Sequence, residues 1–406
     1  MPMPLTDVGS AVSSAAAAAA IRQPSPGGRG SSAGFSPELH ALRGLAALVV
    51  VVRHTTHVVD TGGPAEVWLG TLFNSGGAVA FFFVLSGFVL ALSLRGRATG
   101  LVPYGRYVVR RGFRLMPLLV FTAVLGTLYC NLLDPHRTYP FSTEWFNRFY
   151  AQDIGPWHFV GALVGASARA NPPTWSIYVE IIASLLIPFM VLAAGRATHA
   201  LVAGAALFAL ALLPLGLKYA WHVFLINFFV GVSITLWGPA LVRGMARWAP
   251  SAGAGALHPL LVGALAAVFL LFRGLVGPVE HGDWLVNAVE VAAVAPIIAL
   301  VYYRPAPFRV LNGPVFRFLG DISYSLYLVH FIVMAATYHF IVLNVPVLAA
   351  DLHVLLAAMV AAVLAVSTAV SYLTFRYVER PGIALGRRLL APDRRPAPAT
   401  AGALGG

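Results

Sequence analysis

Residues 76–94 read GGAVAFFFVLSGFVLALSL, which is 19 residues without a charged side chain. A helix needs about 20 predominantly apolar residues to cross the hydrocarbon core of a bilayer. Similar stretches recur, because hydrophobic residues make up 59% of the 406 residues and charged residues only 10%. A soluble domain carries about 25% charged residues, and a disordered chain is poor in apolar residues. The composition excludes both classes and predicts an all-α fold, a polytopic bundle of transmembrane helices.

Ten apolar stretches have the length of a membrane span. They lie near residues 41–59, 76–94, 114–132, 174–194, 199–217, 220–238, 256–273, 284–303, 319–343 and 350–376. With a cytoplasmic N-terminus, 21 of the 27 Lys and Arg residues fall on the cytoplasmic side, as the positive-inside rule requires. The net charge of +12 is therefore interpreted as a topology signal and not as evidence of a nucleic-acid partner. Both termini are predicted to be cytoplasmic.

The apolar stretches divide the chain into three parts. Residues 1–37 are rich in Ala, Ser, Gly and Pro and are predicted to form a disordered cytoplasmic tail. Residues 38–381 are predicted to form the membrane domain, and residues 382–406 a basic, flexible cytoplasmic tail. Cys130 is the one cysteine, which excludes an intrachain disulfide and a cysteine-based metal cluster. No metal site is expected.

Ionisable side chains within predicted spans need an explanation, because charge in hydrocarbon is costly. Arg43 and His54 are eleven residues apart in the first span and lie on one helical face. Glu180 in the fourth span and His330 in the ninth are predicted at the depth of His54. A carboxylate beside an imidazole can orient the ring, so we expect Glu180 to pair with His54. The alternative, a structural polar contact between helices, carries equal weight for His330.

Arginines cluster at the cytoplasmic end of the third predicted span. Arg111 and Arg114 are three residues apart, one helical turn, so they project from the same side. Guanidinium groups match phosphate oxygens in a bidentate geometry. Topology alone also requires arginine on this side of the membrane. The cluster is therefore a weak indication of a phosphate ligand.

Six segments in order resemble the motifs of the acyltransferase-3 family of integral-membrane O-acyltransferases. They are Leu42–Leu48 with His54, Phe82–Phe88, Arg110–Arg111 with Arg114 and Pro117, Trp175–Ser176 with Glu180, Leu319–Leu328 with His330, and Tyr377–Pro381. Each segment alone is a weak signal, but six in this order over residues 42–381 are specific. One departure is Ala78–Phe81, where family members often carry an acidic or polar residue.

The resemblance implies a ten-helix bundle in the cytoplasmic (bacterial inner) membrane that uses acyl-CoA, usually acetyl-CoA, from the cytoplasm. The acceptor would be a hydroxyl group of a cell-surface carbohydrate or a secondary metabolite. The family's essential Arg and His fall on Arg43 and His54, and its acid falls on Glu180. Its basic loop, which would hold coenzyme A phosphates, falls on Arg110, Arg111 and Arg114.

The leading hypothesis is O-acylation with His54 as general base and Glu180 as the group that orients it. A transient acyl-histidine is a variant of this mechanism. The residues predicted to surround the substrates are Ser86, Trp175, Ser176, Tyr327 and His330.

Two other interpretations remain open. The chain would be a proton-coupled transporter of small solutes if His54, Glu180 and His330 formed a proton relay. It would be an assembly scaffold if these residues had no chemical role. In every case the lipid bilayer is a partner, and a bundle rich in small residues is compatible with a homodimer.

Overall fold

The computed structural model describes residues 35–95, 100–133, 138–149, 153–247, 254–277, 279 and 281–390. The predicted tail 1–37 lies outside these residues except at its last three positions, and residues 391–406 lie outside them entirely. Within the described residues the secondary structure is helical, apart from an isolated antiparallel bridge between Val59 and Ser142.

The α-helices are numbered here in chain order, and the short 3-10 and π segments between them are left without a number. They are α1 Pro37–Thr56, α2 Pro64–Leu72, α3 Ser75–Leu94, α4 Leu101–Leu128, α5 Glu144–Asn147, α6 Pro156–Leu163, α7 Thr174–Ala194, α8 Ala197–Ala211, α9 Trp221–Arg247, α10 Ala254–Val276, α11 Trp284–Tyr303, α12 Pro314–Asn344, α13 Leu352–Thr374 and α14 Arg380–Leu389.

A helix occurs at each of the ten predicted spans. Seven helical segments are long and apolar enough to cross a membrane, namely Trp68–Leu94, Leu101–Leu133, Thr174–Ala194, Lys218–Met245, Trp284–Tyr303, Pro314–Asn344 and Leu352–Leu389. The helices α8 and α10 contribute shorter apolar segments, and α1 carries Arg43, Arg53 and His54 in an otherwise apolar sequence. The multi-pass helical architecture is confirmed, while ten spans and cytoplasmic termini stay predictions.

The ordered part of the chain extends beyond the predicted domain boundary at residue 381. Helix α14 occupies the first eight residues of the predicted flexible tail. It packs on α4, where Gly382 lies against Pro117 and Gly386 against the ring of Phe113. Helix formation beyond Pro381 is favoured because proline is tolerated in the first turn of a helix.

Glycines set the closest helix contacts, which join α1 to α12 and α3 to α9. A Cβ atom on Gly87 would overlap the carbonyl oxygen of Phe228, and one on Gly231 would overlap that of Val84. Gly44 of α1 also lies close to α12, where an added Cβ atom would overlap the backbone of Leu319 and Gly320. Such close approach increases the van der Waals contact that drives helix association in lipid. The two pairs position the side chains described below.

The aromatic segment between α4 and α7 packs over the end of the bundle that holds His54. Tyr338 donates a hydrogen bond of 2.7 Å to the carbonyl oxygen of Pro140, and Thr143 donates one of 2.8 Å to that of His57. The ring of Trp145 lies 5.6 Å from the ring of His54. The described part of this segment therefore covers His54.

We expect Gly231→Ala to weaken the contact between α3 and α9, because the new methyl group must displace the backbone of α3. Overpacking of this kind costs about 1–3 kcal/mol. The same change at Gly244, on the same helix but with open space at its Cβ position, is the matched control and should gain about 0.5–1 kcal/mol of helix propensity. Thermal melting of both purified variants in detergent measures the difference. Equal melting temperatures would contradict the close approach.

Candidate active site

Two cavities adjoin in the centre of the bundle. The first, with a volume of about 140 Å³, is called the arginine cavity because Arg43, Arg111 and Arg114 line it. The second, of about 160 Å³, is called the histidine cavity because His54 lines it. Val79 and Tyr327 line both cavities. These two side chains therefore form the boundary between a cationic compartment and an imidazole.

An ion pair between Arg111 of α4 and Glu180 of α7 forms one wall of the arginine cavity. Arg111 Nε also donates to Ser184 Oγ at 3.1 Å, and Ser86 Oγ donates to Glu180 Oε1 at 2.9 Å. Three helices, α3, α4 and α7, are thus held together by one carboxylate and one guanidinium. The contact holds Arg111 in a fixed orientation.

The other two arginines are held by different helices. Arg43 Nε donates to Ser323 Oγ at 2.8 Å, and Arg43 Nη2 donates to the carbonyl oxygen of Gly320 at 3.1 Å. Arg114 pairs with Glu379, whose second oxygen accepts from Ser325 Oγ at 2.8 Å.

The charges around the arginine cavity do not cancel. Glu180 neutralises Arg111 and Glu379 neutralises Arg114, but no carboxylate of the described residues forms an ion pair with Arg43. One positive charge is left in a compartment largely shielded from solvent, where electrostatic attraction is stronger than in water. The cavity is therefore suited to an anionic or strongly polar ligand.

Arg110 does not belong to this cavity. It is exposed on α4, whereas Arg111 and Arg114 are half-buried and line the cavity. The spacing of one turn predicted a common side for Arg111 and Arg114, and the structure places them there. Arg110 does not line the cavity because a neighbouring residue is rotated by about 100° around a helix, and its role as a coenzyme A ligand stays a prediction.

The histidine cavity is built on a pair of imidazoles. His54 Nδ1 lies 2.8 Å from His330 Nε2, and His330 Nδ1 lies 2.8 Å from the carbonyl oxygen of Tyr327. A carbonyl oxygen only accepts, so His330 carries its proton on Nδ1 and its Nε2 is the acceptor. His54 then donates from Nδ1, which leaves Nε2 as its lone-pair nitrogen. This assignment follows from the network of hydrogen bonds.

The expected pair between Glu180 and His54 is not formed. Both residues lie at the cavities, but Glu180 lines the arginine cavity and His54 lines the histidine cavity. Arg111 offers Glu180 a full positive charge, and a charge-assisted hydrogen bond is stronger than one to a neutral ring. The partner of His54 is instead His330, a residue for which a structural and a chemical role had equal weight.

The remaining predicted residues separate between the two cavities. Trp175 lines the histidine cavity, whereas Ser176 and Ser86 line the arginine cavity. Ser176 Oγ lies 2.7 Å from Tyr327 Oη at the boundary. Adjacent residues of α7 can serve different cavities because they point in different directions around the helix.

A cluster of polar side chains in the histidine cavity was not predicted from the sequence. Asn74 Nδ2 donates to Glu290 Oε1 at 2.9 Å, and Arg273 Nε lies 3.4 Å from the same oxygen. Arg273 and Glu290 both line the histidine cavity. Glu290 is a carboxylate within the predicted span 284–303, and a charge in a span is the signal by which the sequence could have revealed this group. Arg273 gave none, because an arginine at a helix end is expected at the membrane surface.

His281 closes the histidine cavity from the loop between α10 and α11. Its ring lies 4.4 Å from that of Trp175, edge to face, and its Nε2 donates to the carbonyl oxygen of Tyr219 at 3.1 Å. Burial lowers the pKa of His281; the hydrogen bond to Tyr219 opposes this effect and the charge of Arg273 adds to it. The neutral form of His281 is therefore favoured, and it packs on an aromatic side chain.

Comparison with known proteins gives two matches. The model of the acyltransferase domain family Acyl_transf_3 matches residues 36–376. A protein of Komagataeibacter xylinus, BcsY, to which a membrane-bound transacylase function is attributed, is 29% identical over 363 residues, which cover 85% of this chain and 82% of the relative. No solved structure matches.

A double-mutant cycle tests the partner of Glu180. We expect Glu180→Gln to lower the free energy of unfolding by roughly 1–3 kcal/mol, because Arg111 loses its counter-ion. The loss should shrink when Arg111→Gln is present, with a coupling of about 0.5–3 kcal/mol. The control pairs Glu180→Gln with His54→Gln, which should be additive because the side chains do not touch. Unfolding in detergent by denaturant gives all the values. Additivity with Arg111 and coupling with His54 would restore the pair expected from the sequence.

Proposed function

The chain belongs to the acyltransferase-3 family of membrane acyltransferases, and from this premise we propose that it transfers an acetyl group from cytoplasmic acetyl-CoA to a hydroxyl group. The acceptor is a carbohydrate of the cell surface or a small hydroxylated metabolite. One observation carries the proposal: a cation-lined cavity and a cavity with a basic imidazole nitrogen share a wall at Val79 and Tyr327. Acetyl-CoA, which carries phosphate groups at one end and a thioester at the other, fits such a pair of compartments.

Coenzyme A enters from the cytoplasm in this proposal. The predicted topology puts the start of α4 on that side, so Arg111 and Arg114 lie on the route of the donor. Arg43, which has no carboxylate partner among the described residues, supplies the attraction for phosphate or for the polar pantetheine arm. The apolar remainder of the arginine cavity, including Phe82 and Phe83, accommodates the chain that carries the thioester.

His54 acts as general base on the acceptor. Its Nε2 takes the proton of the acceptor hydroxyl while the hydroxyl oxygen bonds to the thioester carbon. Collapse of the tetrahedral intermediate breaks the carbon–sulfur bond, and the thiolate leaves with the proton from His54. The products are the O-acetyl ester and free coenzyme A. An acyl-histidine at the same nitrogen would be the two-step variant.

His330 and Glu180 are positioning residues in this mechanism. His330 Nε2 accepts a hydrogen bond from the Nδ1–H group of His54 and so keeps the lone pair of His54 on Nε2, a role that a carboxylate fills in catalytic triads. Glu180 does not orient His54 but holds Arg111 beside the donor route. The two roles that the sequence combined in one pair are thus assigned to two different contacts.

The acceptor reaches His54 from the opposite side of the membrane. The loop with His281 and Asp283 is outside in the predicted topology and lines the histidine cavity together with Trp175. An aromatic face beside carboxylate and amide groups suits a sugar ring, whose hydroxyls need acceptors and whose C–H face is apolar. Family membership favours this interpretation over the proton-coupled transporter, and the bacterial inner membrane is the proposed location.

Loss of the gene should remove an O-acetyl group from a surface glycan or a secreted metabolite, as measured by mass spectrometry of cells with and without the gene. With the acceptor so identified, the purified protein should release free thiol from acetyl-CoA. Solute accumulation without any thiol release would favour the transporter instead.

His54→Ala should lower the rate of acetyl transfer by about 10²–10⁴, because general base catalysis contributes an acceleration of that size. His353→Ala is the control, since His353 is exposed on α13 and lines neither cavity. Thiol release from acetyl-CoA by the purified variants gives both rates. A His54→Ala protein that keeps the full rate would remove the base from the mechanism.

Substitution of His330 tests the imidazole pair. Glutamine offers a carbonyl oxygen to the Nδ1 proton of His54, whereas leucine has a similar volume and no acceptor. We expect kcat to be highest in the wild-type protein, lower in His330→Gln and lowest in His330→Leu. The melting temperatures of the two variants should be close to each other. Equal kcat values for Gln and Leu would mean that His330 only fills space.

A further inference from the structure

Tyr327 is the residue at which the two cavities and the two proposed substrates meet. Its side chain lines both cavities, and its backbone carbonyl oxygen holds His330 at 2.8 Å. In the proposed mechanism, a thioester that moves from the arginine cavity toward the base in the histidine cavity passes beside Tyr327. General base catalysis at His54 leaves one requirement open, which is a donor for the oxygen that becomes negative in the tetrahedral intermediate.

The Tyr327 hydroxyl belongs to a small hydrogen-bond network that has one more donor hydrogen than the carbonyl acceptor needs. Tyr327 Oη lies 2.7 Å from Ser176 Oγ, and Ser176 Oγ lies 3.0 Å from the carbonyl oxygen of Pro173. The longer separation from Tyr327 Oη to the same carbonyl is 3.4 Å. Two hydroxyl hydrogens thus serve one carbonyl acceptor. The second hydrogen has only the other hydroxyl as its partner, so a better acceptor in the cavity can take it.

Reversing the direction of this network costs little. If Tyr327 donates to a ligand, Ser176 can donate to Tyr327 Oη. The carbonyl oxygen of Pro173 then still accepts from the backbone N–H of Ser176 at 3.3 Å. A chain of hydroxyls that donate in one direction polarises each member and strengthens the last bond. Ser176 therefore supports the donor rather than competing with it.

Packing holds the donor in place before any substrate binds. The ring of Tyr327 lies 5.7 Å from that of Phe82, edge to face, and both Tyr327 and Ser176 are buried. A donor fixed in a medium of low dielectric stabilises a developing charge more than a mobile one in water. The alternative is that the contact between Tyr327 and Ser176 only joins α7 to α12. In that case, substitution of Tyr327 would change the stability of the protein and leave kcat unchanged.

We propose that Tyr327 is a catalytic residue that donates its hydroxyl hydrogen bond to the thioester oxygen as the tetrahedral intermediate forms, with Ser176 as its positioning residue. The inference rests on the proposed acyl transfer. The acceptor oxygen adds to the carbonyl carbon, the π electron pair moves to the oxygen that Tyr327 faces, and it returns when the carbon–sulfur bond breaks. The hydroxyl hydrogen of Tyr327 stays on its own oxygen throughout.

The first test is the removal of the hydroxyl. Tyr327→Phe should lower kcat for thiol release from acetyl-CoA by about 10²–10³, the effect of losing one oxyanion donor, with KM for acetyl-CoA unchanged. Ser176→Ala should lower kcat by less. The matched control is Tyr303→Phe, which removes a buried hydroxyl that donates to the carbonyl oxygen of Ile234 at 3.1 Å, away from both cavities. It should change the melting temperature as much as Tyr327→Phe does and leave kcat unchanged.

The second test varies the donor without removing it. Site-specific incorporation of 3-fluorotyrosine and 3,5-difluorotyrosine at position 327 keeps the ring and makes the hydroxyl a progressively stronger donor. A graded change in kcat, with KM and melting temperature constant, supports the proposal. The proposal is overturned if kcat does not change with fluorination, or if Tyr327→Phe raises KM while kcat stays constant. A wild-type protein that releases no thiol would instead contradict the proposed function, so the two failures are distinguishable.

Discussion

An arginine inside a bundle of apolar helices must be partnered, and this constraint organises the centre of the bundle. The contact between Arg111 and Glu180 ties α4 to α7, the contact between Arg114 and Glu379 ties α4 to the segment before α14, and Arg43 ties α1 to Ser323 of α12. Each contact satisfies a costly group and also crosslinks two helices. The arginine cavity is the space that these contacts enclose.

Glycine contacts and polar contacts have different roles in holding the helices together. Backbone approach at Gly87 and Gly231 brings α3 and α9 together through van der Waals contact, because only the faces that carry these glycines can come so close. Hydrogen bonds are directional, and they set the rotation of α1 and α12 about their axes. Arg43 meets Ser323 and His54 meets His330, so α1 and α12 run parallel with one polar face against the other. This parallel arrangement agrees with the predicted order, in which α1 is the first span and α12 the ninth, so that both run in the same direction.

Helix positions could be predicted from the sequence because hydropathy is a local property. The predicted spans 174–194 and 284–303 coincide with α7 and α11. Ser323, Tyr327 and His330 are spaced i, i+4 and i+7 and so share one face of α12, which meets α1 and the cavities. The partner of Glu180 could not be predicted. Position along a helix fixes depth in the membrane, but a contact also requires the lateral position and the rotation of each helix. Glu180 and His54 are predicted at the same depth, but Glu180 pairs with Arg111 of α4.

The use of a second imidazole where a triad has a carboxylate follows from the same electrostatic constraint. A carboxylate next to His54 would be a buried charge whenever the base is neutral, and it would need a cation nearby to offset its desolvation. A neutral imidazole fixes the tautomer through one hydrogen bond and carries no such cost. It stabilises the protonated base less, which is acceptable when the proton leaves quickly with the thiolate. In the proposed mechanism the carboxylate of Glu180 is therefore free to hold Arg111, while His54 works as the base in a neutral pair of imidazoles.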